Sequence, residues 1–92
     1  MSDNKRFKSV WEALEDDPVR AENLKLRSVL MIEIAERIKK QELTQTQAAD
    51  ILQITQPRVS ALLKGKINDF RLDSLVDIAH RLGLHVSLEV AA

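Results

Sequence analysis

The sequence predicts an all-α domain of four to five helices, followed by a C-terminal β-strand that pairs across a dimer. Apolar residues recur at spacings of three and four through most of the chain, as they do in helices that bury one face. Residues that cap helix starts, namely Ser9, Asp17, Thr44 and Thr55, precede these apolar runs. After Gly83 the apolar spacing changes to two, which is typical of a strand.

Composition limits the class of protein. A chain of 92 residues with 45% hydrophobic residues fits one small domain. The absence of cysteine excludes disulfides and thiolate metal sites, and it agrees with a reducing cytoplasm. No apolar run is long enough to span a membrane, and the charged N-terminus lacks the apolar core of a signal peptide. We therefore expect a cytoplasmic protein with no membrane partner.

Charge is distributed unevenly, although 14 basic and 14 acidic residues cancel overall. Between residues 44 and 68, three basic residues and one acidic residue give a net charge of +2. Between residues 69 and 92, two basic and four acidic residues give −2. The basic part of the chain is the most plausible nucleic-acid surface.

Residues 1–17 are predicted to form an N-terminal arm with one short amphipathic helix. Ser9 and Glu12 have the spacing of a capping box. The apolar residues that follow helical spacing are Phe7, Val10, Trp11 and Leu14. A helix this short does not persist alone, so it must dock on another surface. That surface is either its own domain or a binding partner.

A long helix should run from Pro18, after an Asp17 cap, to about Lys40. Its broad apolar face comprises Leu30, Met31, Ile34, Ala35 and Ile38. A second apolar strip, Leu26, Val29 and Ile32, lies outside that face and predicts a second neighbour. The neighbour is either the N-terminal helix or another subunit.

Two short helices joined by a tight turn are predicted between Leu43 and Lys66. Thr44 and Gln47 form a capping box for the first helix, and Thr55 caps the second. The features of the second helix are Pro57 in its first turn, Gly65 at its end, and a buried stripe of Val59, Leu62 and Leu63. The turn itself is Gln53-Ile54.

The spacing within this pair is that of a helix-turn-helix motif. Ala49 supplies a small residue where two steeply crossed helices meet, and Val59, ten residues later, reaches the same core. The alternative is a helical hairpin inside an unrelated bundle. Residues 45–66 resemble the DNA-binding motif of the Cro/C1-type (xenobiotic-response-element, XRE) repressor family. The segment QPRVSALLKGK, followed by a Phe70-Arg71-Leu72 helix start, resembles the HigA-type antitoxin branch.

This resemblance extends from about Asn23 to Leu84 and implies a lambda-repressor-like bundle. One position departs from the family pattern, because Gln53 stands where the turn usually has glycine. Gln53 must therefore adopt a positive φ, or the turn is built differently. The HigA-type resemblance also implies a homodimer that neutralises a HigB-type ribonuclease toxin and represses the operon they share.

The last helix is predicted from about Leu72 to Leu82, closed by Gly83, so that residues 18–83 form the DNA-binding domain. Its predicted buried side comprises Leu72, Leu75, Val76, Ile78, Ala79 and Leu82. Residues 84–92 then form a dimerisation strand whose apolar face is Leu84, Val86, Leu88 and Val90. A single strand needs a partner, which a second copy related by a two-fold axis would supply. The alternative is a disordered tail.

The predicted DNA-binding residues belong to both helices of the motif and to the loop that follows. They are Gln45, Thr55, Gln56, Pro57, Arg58, Ser60, Ala61, Lys64 and Lys66. The Gln56 amide can donate to adenine N7 and accept from adenine N6, and the Arg58 guanidinium can donate to guanine O6 and N7. Pro57 and Ala61 can contact thymine methyl groups. Ser60 flanks this outward face. Contacts to phosphates, which fix the register of the protein on DNA but carry no sequence information, are expected from Gln45, Thr55, Lys64 and Lys66.

Chemistry other than binding has little support in the sequence. His80 and His85 lack the spacing and the carboxylate partners of a metal site, and no glycine-rich phosphate loop is present. We expect no enzyme activity, no cofactor and no metal. The expected function is a homodimeric repressor of the HigA type. A stand-alone XRE-family regulator, phage-like or metabolic, remains an alternative, as does a protein-binding module that has lost DNA recognition.

Overall fold

The computed structural model describes residues 17–92, and within that range the chain is helical, without a β-strand. Four α-helices and one 3-10 turn follow each other: α1 (Pro18–Lys40), α2 (Gln45–Leu52), α3 (Gln56–Leu63), the turn Ile67–Asp69, and α4 (Leu72–Arg81). The all-α class is confirmed. The predicted N-terminal helix, with Phe7, Val10, Trp11 and Leu14, lies outside the described residues.

Three of these helices begin where side-chain caps were predicted. Asp17 Oδ1 accepts a hydrogen bond from the Arg20 amide at 3.0 Å, with proline in the first position of α1. Thr44 and Gln47 close a full capping box on α2, with bonds of 2.9 and 3.1 Å. Thr55 Oγ1 accepts from the Arg58 amide at 3.3 Å at the start of α3. Each cap satisfies an amide that the helix itself leaves unpaired.

All four described helices end in the same motif. A residue with positive φ stands directly after the C-cap in three helices, at Glu42 (55°), Gly65 (73°) and Gly83 (81°). In α2 the C-cap itself, Gln53, has the positive φ (56°). The amide of the next residue then bonds back to the carbonyl five residues earlier, at 3.2, 3.1, 3.0 and 2.9 Å for Leu43, Ile54, Lys66 and Leu84. This is the Schellman arrangement. The positive φ required of Gln53 is confirmed, whereas the one at Glu42 was not predicted.

We expect Gln53→Gly to stabilise the fold by about 0.5–1 kcal/mol, because glycine has no Cβ to strain at positive φ. Glu42→Gly should act in the same direction, since its φ is nearly the same. Urea melts measure both changes. Asp50→Gly is the control, because residue 50 lies inside α2 at an exposed position where glycine should destabilise. A loss of stability in Gln53→Gly would contradict the expected strain.

The core lies between α1 and the three shorter helices, α2, α3 and α4. Its fully or nearly fully buried members are Met31, Ile34, Ile38, Ala48, Leu52, Val59, Leu62, Phe70, Leu75, Ile78, Ala79 and Leu82. Three residues of the predicted inward face of α1, Met31, Ile34 and Ile38, are buried, whereas Leu30 and Ala35 are half-buried. The buried face extends further along the helix through Leu24 and Ser28. The small residue that is fully buried in α2 is Ala48, while the predicted Ala49 is half-buried.

Val76 was placed on the wrong side of α4. It is 38% exposed, although it was predicted to be buried. At 100° per residue, Val76 lies about 100° from Leu75, the fully buried centre of that face, so it falls at the edge of the apolar arc. In the structure it lines a shallow groove with Leu84 and Val86, between α4 and the C-terminal segment.

The predicted C-terminal strand is absent from this chain. Residues 84–92 have no regular secondary structure, and the exposure of the apolar side chains rises along the segment. Leu84 is half-buried against the core, whereas Leu88 and Val90 are 82% and 84% exposed. A strand is defined by hydrogen bonds to a neighbouring strand, and no other segment of residues 17–92 is extended beside this one. Residues 84–92 therefore form no strand in the single chain, and their pairing across a dimer stays a prediction.

The second apolar strip of α1 is confirmed as an outward-facing feature. Leu26, Val29 and Ile32 are 44%, 55% and 44% exposed.

None of the helices within residues 17–92 is both long and apolar enough to cross a membrane.

Candidate nucleic-acid interface

The orientation of α3 is set by the two side chains that it buries. Val59 and Leu62 are 0% and 1% exposed in the core. Because an α-helix turns about 100° per residue, Pro57 and Lys64 project from the opposite side, and both are exposed. The first turn of α3 extends beyond the core, so Gln56 and Arg58 are exposed as well. One end of α3 therefore presents polar side chains on a rigid support.

The predicted DNA-binding residues are largely solvent-accessible. Seven are exposed: Gln45, Thr55, Gln56, Pro57, Arg58, Lys64 and Lys66. The other two, Ser60 and Ala61, are half-buried, and Ala61 packs against the core. Ala61 therefore offers less surface to a thymine methyl group than its position on the helix suggested. Thr55 uses its hydroxyl to cap α3, so its role in the free protein is structural.

The two glutamines of α2 have different roles: one caps the helix, and the other is free to contact a ligand. Gln47 is held in the capping box, where its side-chain oxygen accepts from the Thr44 amide. Gln45 occupies the first position of α2 and is exposed. Together with the amides of the first turn, it forms the end of α2 that can approach a phosphate.

Arg58 has a defined position rather than a free one. Its guanidinium lies over the ring of Phe70, 4.5 Å from the ring centroid. One guanidinium nitrogen, Nη1, points to the backbone carbonyl of Asp69 at 3.5 Å, the long end of the hydrogen-bond range. The rest of the group faces solvent, since the residue as a whole is exposed.

Phe70 is the member of this site that sequence reasoning missed. It is 0% exposed and belongs to the core, directly after the 3-10 turn that follows α3. The sequence contains only three aromatic residues, two Phe and one Trp, and this one lies shortly after α3. The closeness of Phe70 to α3 in the sequence was the signal that could have identified it as a member of this site. The same loop carries exposed Asn68 and Arg71, which were also not predicted as site residues.

Positive charge at this surface is not neutralised by neighbours. Within residues 17–92 the one ion pair is Arg71–Asp73, at 3.6 Å and highly exposed. The basic residues Arg58, Lys64 and Lys66 are therefore available to phosphates. Around the outward strip of α1, by contrast, three of the four exposed charged residues are acidic: Glu22, Glu33 and Glu36, beside Lys25. The exposed basic residues Lys39 and Lys40 lie at the C-terminal end of the helix. The charge distribution favours nucleic acid at α3 over the outward face of α1.

Comparison with known protein families identifies the type of domain. A family model described as a helix-turn-helix domain matches residues 13–91. No curated protein sequence matches the chain. The matched range includes every described helix and most of the C-terminal segment.

Proposed function

Since this chain belongs to the helix-turn-helix domain family, we propose that it is a sequence-specific DNA-binding repressor of the Cro/C1 (XRE) type. It acts by binding rather than by catalysis. The observation that carries this proposal is the exposed first turn of α3, which presents Gln56, Pro57 and Arg58 above a core anchored by Val59 and Leu62. In this class of motif the N-terminal end of the second helix enters the major groove.

The residues at that end have distinct roles. Gln56 can form two hydrogen bonds with adenine, and Arg58 can form two with guanine. Pro57 supplies an apolar contact. Lys64 and Lys66, at the other end of α3 and just beyond it, neutralise phosphates, as Gln45 does by hydrogen bonding at the start of α2. Two half-sites and two copies of the chain are needed for repressor-like affinity.

The proposed dimer joins the C-terminal segments of two copies. Leu88 and Val90 are the most exposed large apolar residues of the described chain. The shallow groove between α4 and this segment has an apolar lining of Val76, Leu84 and Val86. Antiparallel pairing of residues 86–90 would give both segments the strand partner that a single chain lacks.

A binding experiment tests the DNA proposal. The full-length protein should shift a duplex taken from the promoter upstream of its own gene, and the affinity should fall steeply as salt is raised. A duplex of equal length and random sequence should bind more weakly by orders of magnitude. Equal binding to both duplexes, or no binding, would overturn the repressor proposal and leave the protein-binding module as the better reading.

A second task is proposed from the HigA-type resemblance: neutralising a HigB-type toxin and repressing the shared operon. The structure supports this through the outward strip of Leu26, Val29 and Ile32, which lies away from the core that holds α3. A partner bound there would leave the first turn of α3 accessible to DNA. If the adjacent gene encodes no toxic product, the stand-alone regulator becomes the better proposal.

Trp11→Ala should weaken toxin neutralisation while leaving operator binding by the free protein nearly intact. Aromatic anchors dominate interface energetics, often with losses of about 2 kcal/mol or more on truncation. Rescue from the toxicity of the adjacent gene product, operator binding and the melting temperature are measured on the same variant. If melting temperature and DNA affinity fall together, Trp11 is part of the domain core instead. Val29→Ala is a second test of the proposed toxin surface, because Val29 is 55% exposed in the strip on α1.

A further inference from the structure

We infer that Phe70 is a positioning residue for DNA reading, because it holds the Arg58 guanidinium in place before DNA arrives. The inference rests on the proposed DNA-binding function and concerns the same surface. Phe70 itself is fully buried and does not reach solvent, so it cannot contact a base. Its influence must pass through Arg58.

The contact constrains Arg58 in three ways. The backbone of Arg58 is fixed at the start of α3, where its amide bonds to Thr55. The guanidinium lies over the Phe70 ring at 4.5 Å, within the range in which a cation is attracted to the face of an aromatic ring. Its Nη1 also points to the Asp69 carbonyl. A long side chain with many rotamers is thereby restricted to one region.

The restriction leaves the binding groups of Arg58 usable. A guanidinium has five N–H donors, and its attraction to the face of an aromatic ring does not use any of them as a hydrogen bond. One donor is directed to Asp69, so the others remain for an acceptor in the plane. Guanine O6 and N7, or two phosphate oxygens, match this geometry. A lysine at the same position could not present such a planar fork.

Prior positioning should increase discrimination because the conformational entropy of Arg58 is lost before binding rather than on binding. The Phe70 contact thus links the core to the base-reading surface. The 3-10 turn Ile67–Asp69 provides the connection, since Asp69 supplies the carbonyl and is followed directly by Phe70. The position of this turn, and not only α3, therefore contributes to specificity.

Phe70→Leu tests the inference in the full-length protein, because it keeps an apolar side chain but removes the ring. The ratio of affinities for the promoter duplex and a random duplex should fall by about two- to fivefold, the range expected for an exposed cation–π contact. In an Arg58→Ala background, Phe70→Leu should cause no further fall in that ratio. Leu75→Val is the matched core control, since Leu75 is also 0% exposed. It should lower the melting temperature and leave the ratio unchanged.

A second measurement does not depend on DNA or on a folded variant. The side-chain NMR signals of Arg58 in the free wild-type protein should show a ring-current shift from Phe70, which is the sole aromatic group placed against it within residues 17–92. Absence of that shift would show that the Arg58 guanidinium does not lie over the Phe70 ring in solution, and it would overturn the inference. An equal loss of discrimination by Phe70→Leu with and without Arg58 would overturn the positioning role. Failure of the wild-type protein to prefer the promoter duplex would instead count against the repressor proposal, whatever the NMR shift.

Discussion

A chain ended after His85 should be a monomer that binds its operator roughly 10²- to 10⁴-fold more weakly than the full chain. The deletion removes Leu88 and Val90, the exposed apolar residues proposed to pair across the two-fold axis. Without that pairing, two recognition helices are no longer held at the separation of two half-sites. Sizing with light scattering measures the oligomeric state, and titration with the promoter duplex measures the affinity.

The position of the deletion matters because Leu84 belongs to the domain. Its amide bonds to the Ala79 carbonyl at 2.9 Å and closes α4, and its side chain packs against the core. Removing all of residues 84–92 would therefore damage the fold as well as the proposed interface. Ending the chain after His85 preserves the end of α4, so the helical circular dichroism signal should be unchanged.

Leu88→Asp provides a single-residue version of the same test, with Val19→Asp as its control. The two positions are 82% and 80% exposed, so each substitution places a new charge at an equally accessible apolar site. The dimer proposal requires that Leu88→Asp dissociate the protein and that Val19→Asp leave it dimeric. A shortened chain that is still dimeric would move the interface to the strip of Leu26, Val29 and Ile32.

Arg58→Ala should weaken binding at the operator by about 1–3 kcal/mol and barely change binding to random DNA. The expected loss comes from two base hydrogen bonds, which random sequences do not offer at that position. Competition titrations with the two duplexes at one salt concentration measure the two affinities separately. Equal losses on both duplexes would make Arg58 a phosphate contact instead of a base reader.

Lys64→Ala is the matched comparison because Lys64 is a second exposed cation of the same motif, at the opposite end of α3. Lys64→Ala should lower the affinity for both duplexes by the same factor. The slope of log affinity against log salt should become shallower by about one. A base-specific loss for Lys64→Ala would mean that α3 lies in the groove along more of its length than proposed.

Local sequence signals predicted where the helices begin but only part of how they end. Asp17, Thr44 and Thr55 bond to amides within their own first turn, so each cap can be recognised from a few neighbouring residues. Gly65 marked a helix end for the same reason. Glu42 adopts a positive φ although nothing in its type suggests it, because the core holds Leu43 on the far side of the turn.

The arrangement around Arg58 could not be predicted from spacing within one helix. Arg58 and Phe70 are separated by a helix end, a 3-10 turn and eleven intervening positions, and their contact depends on how α4 packs against α1. The exposure of Val76 has a related cause. Residues at the edge of an apolar arc are buried only if a neighbouring element covers that edge, and helical periodicity does not say whether one does.

The sequence by itself determined the helical class, the caps and the buried stripe of Val59 and Leu62, because these follow from short-range hydrogen bonding and the 3.6-residue period. Tertiary structure alone decided that Ala48 is the buried small residue, that Arg58 rests on Phe70, and that Leu84 packs against the core. Periodicity shows which side of a segment is apolar, whereas only packing of distant segments decides what covers that side.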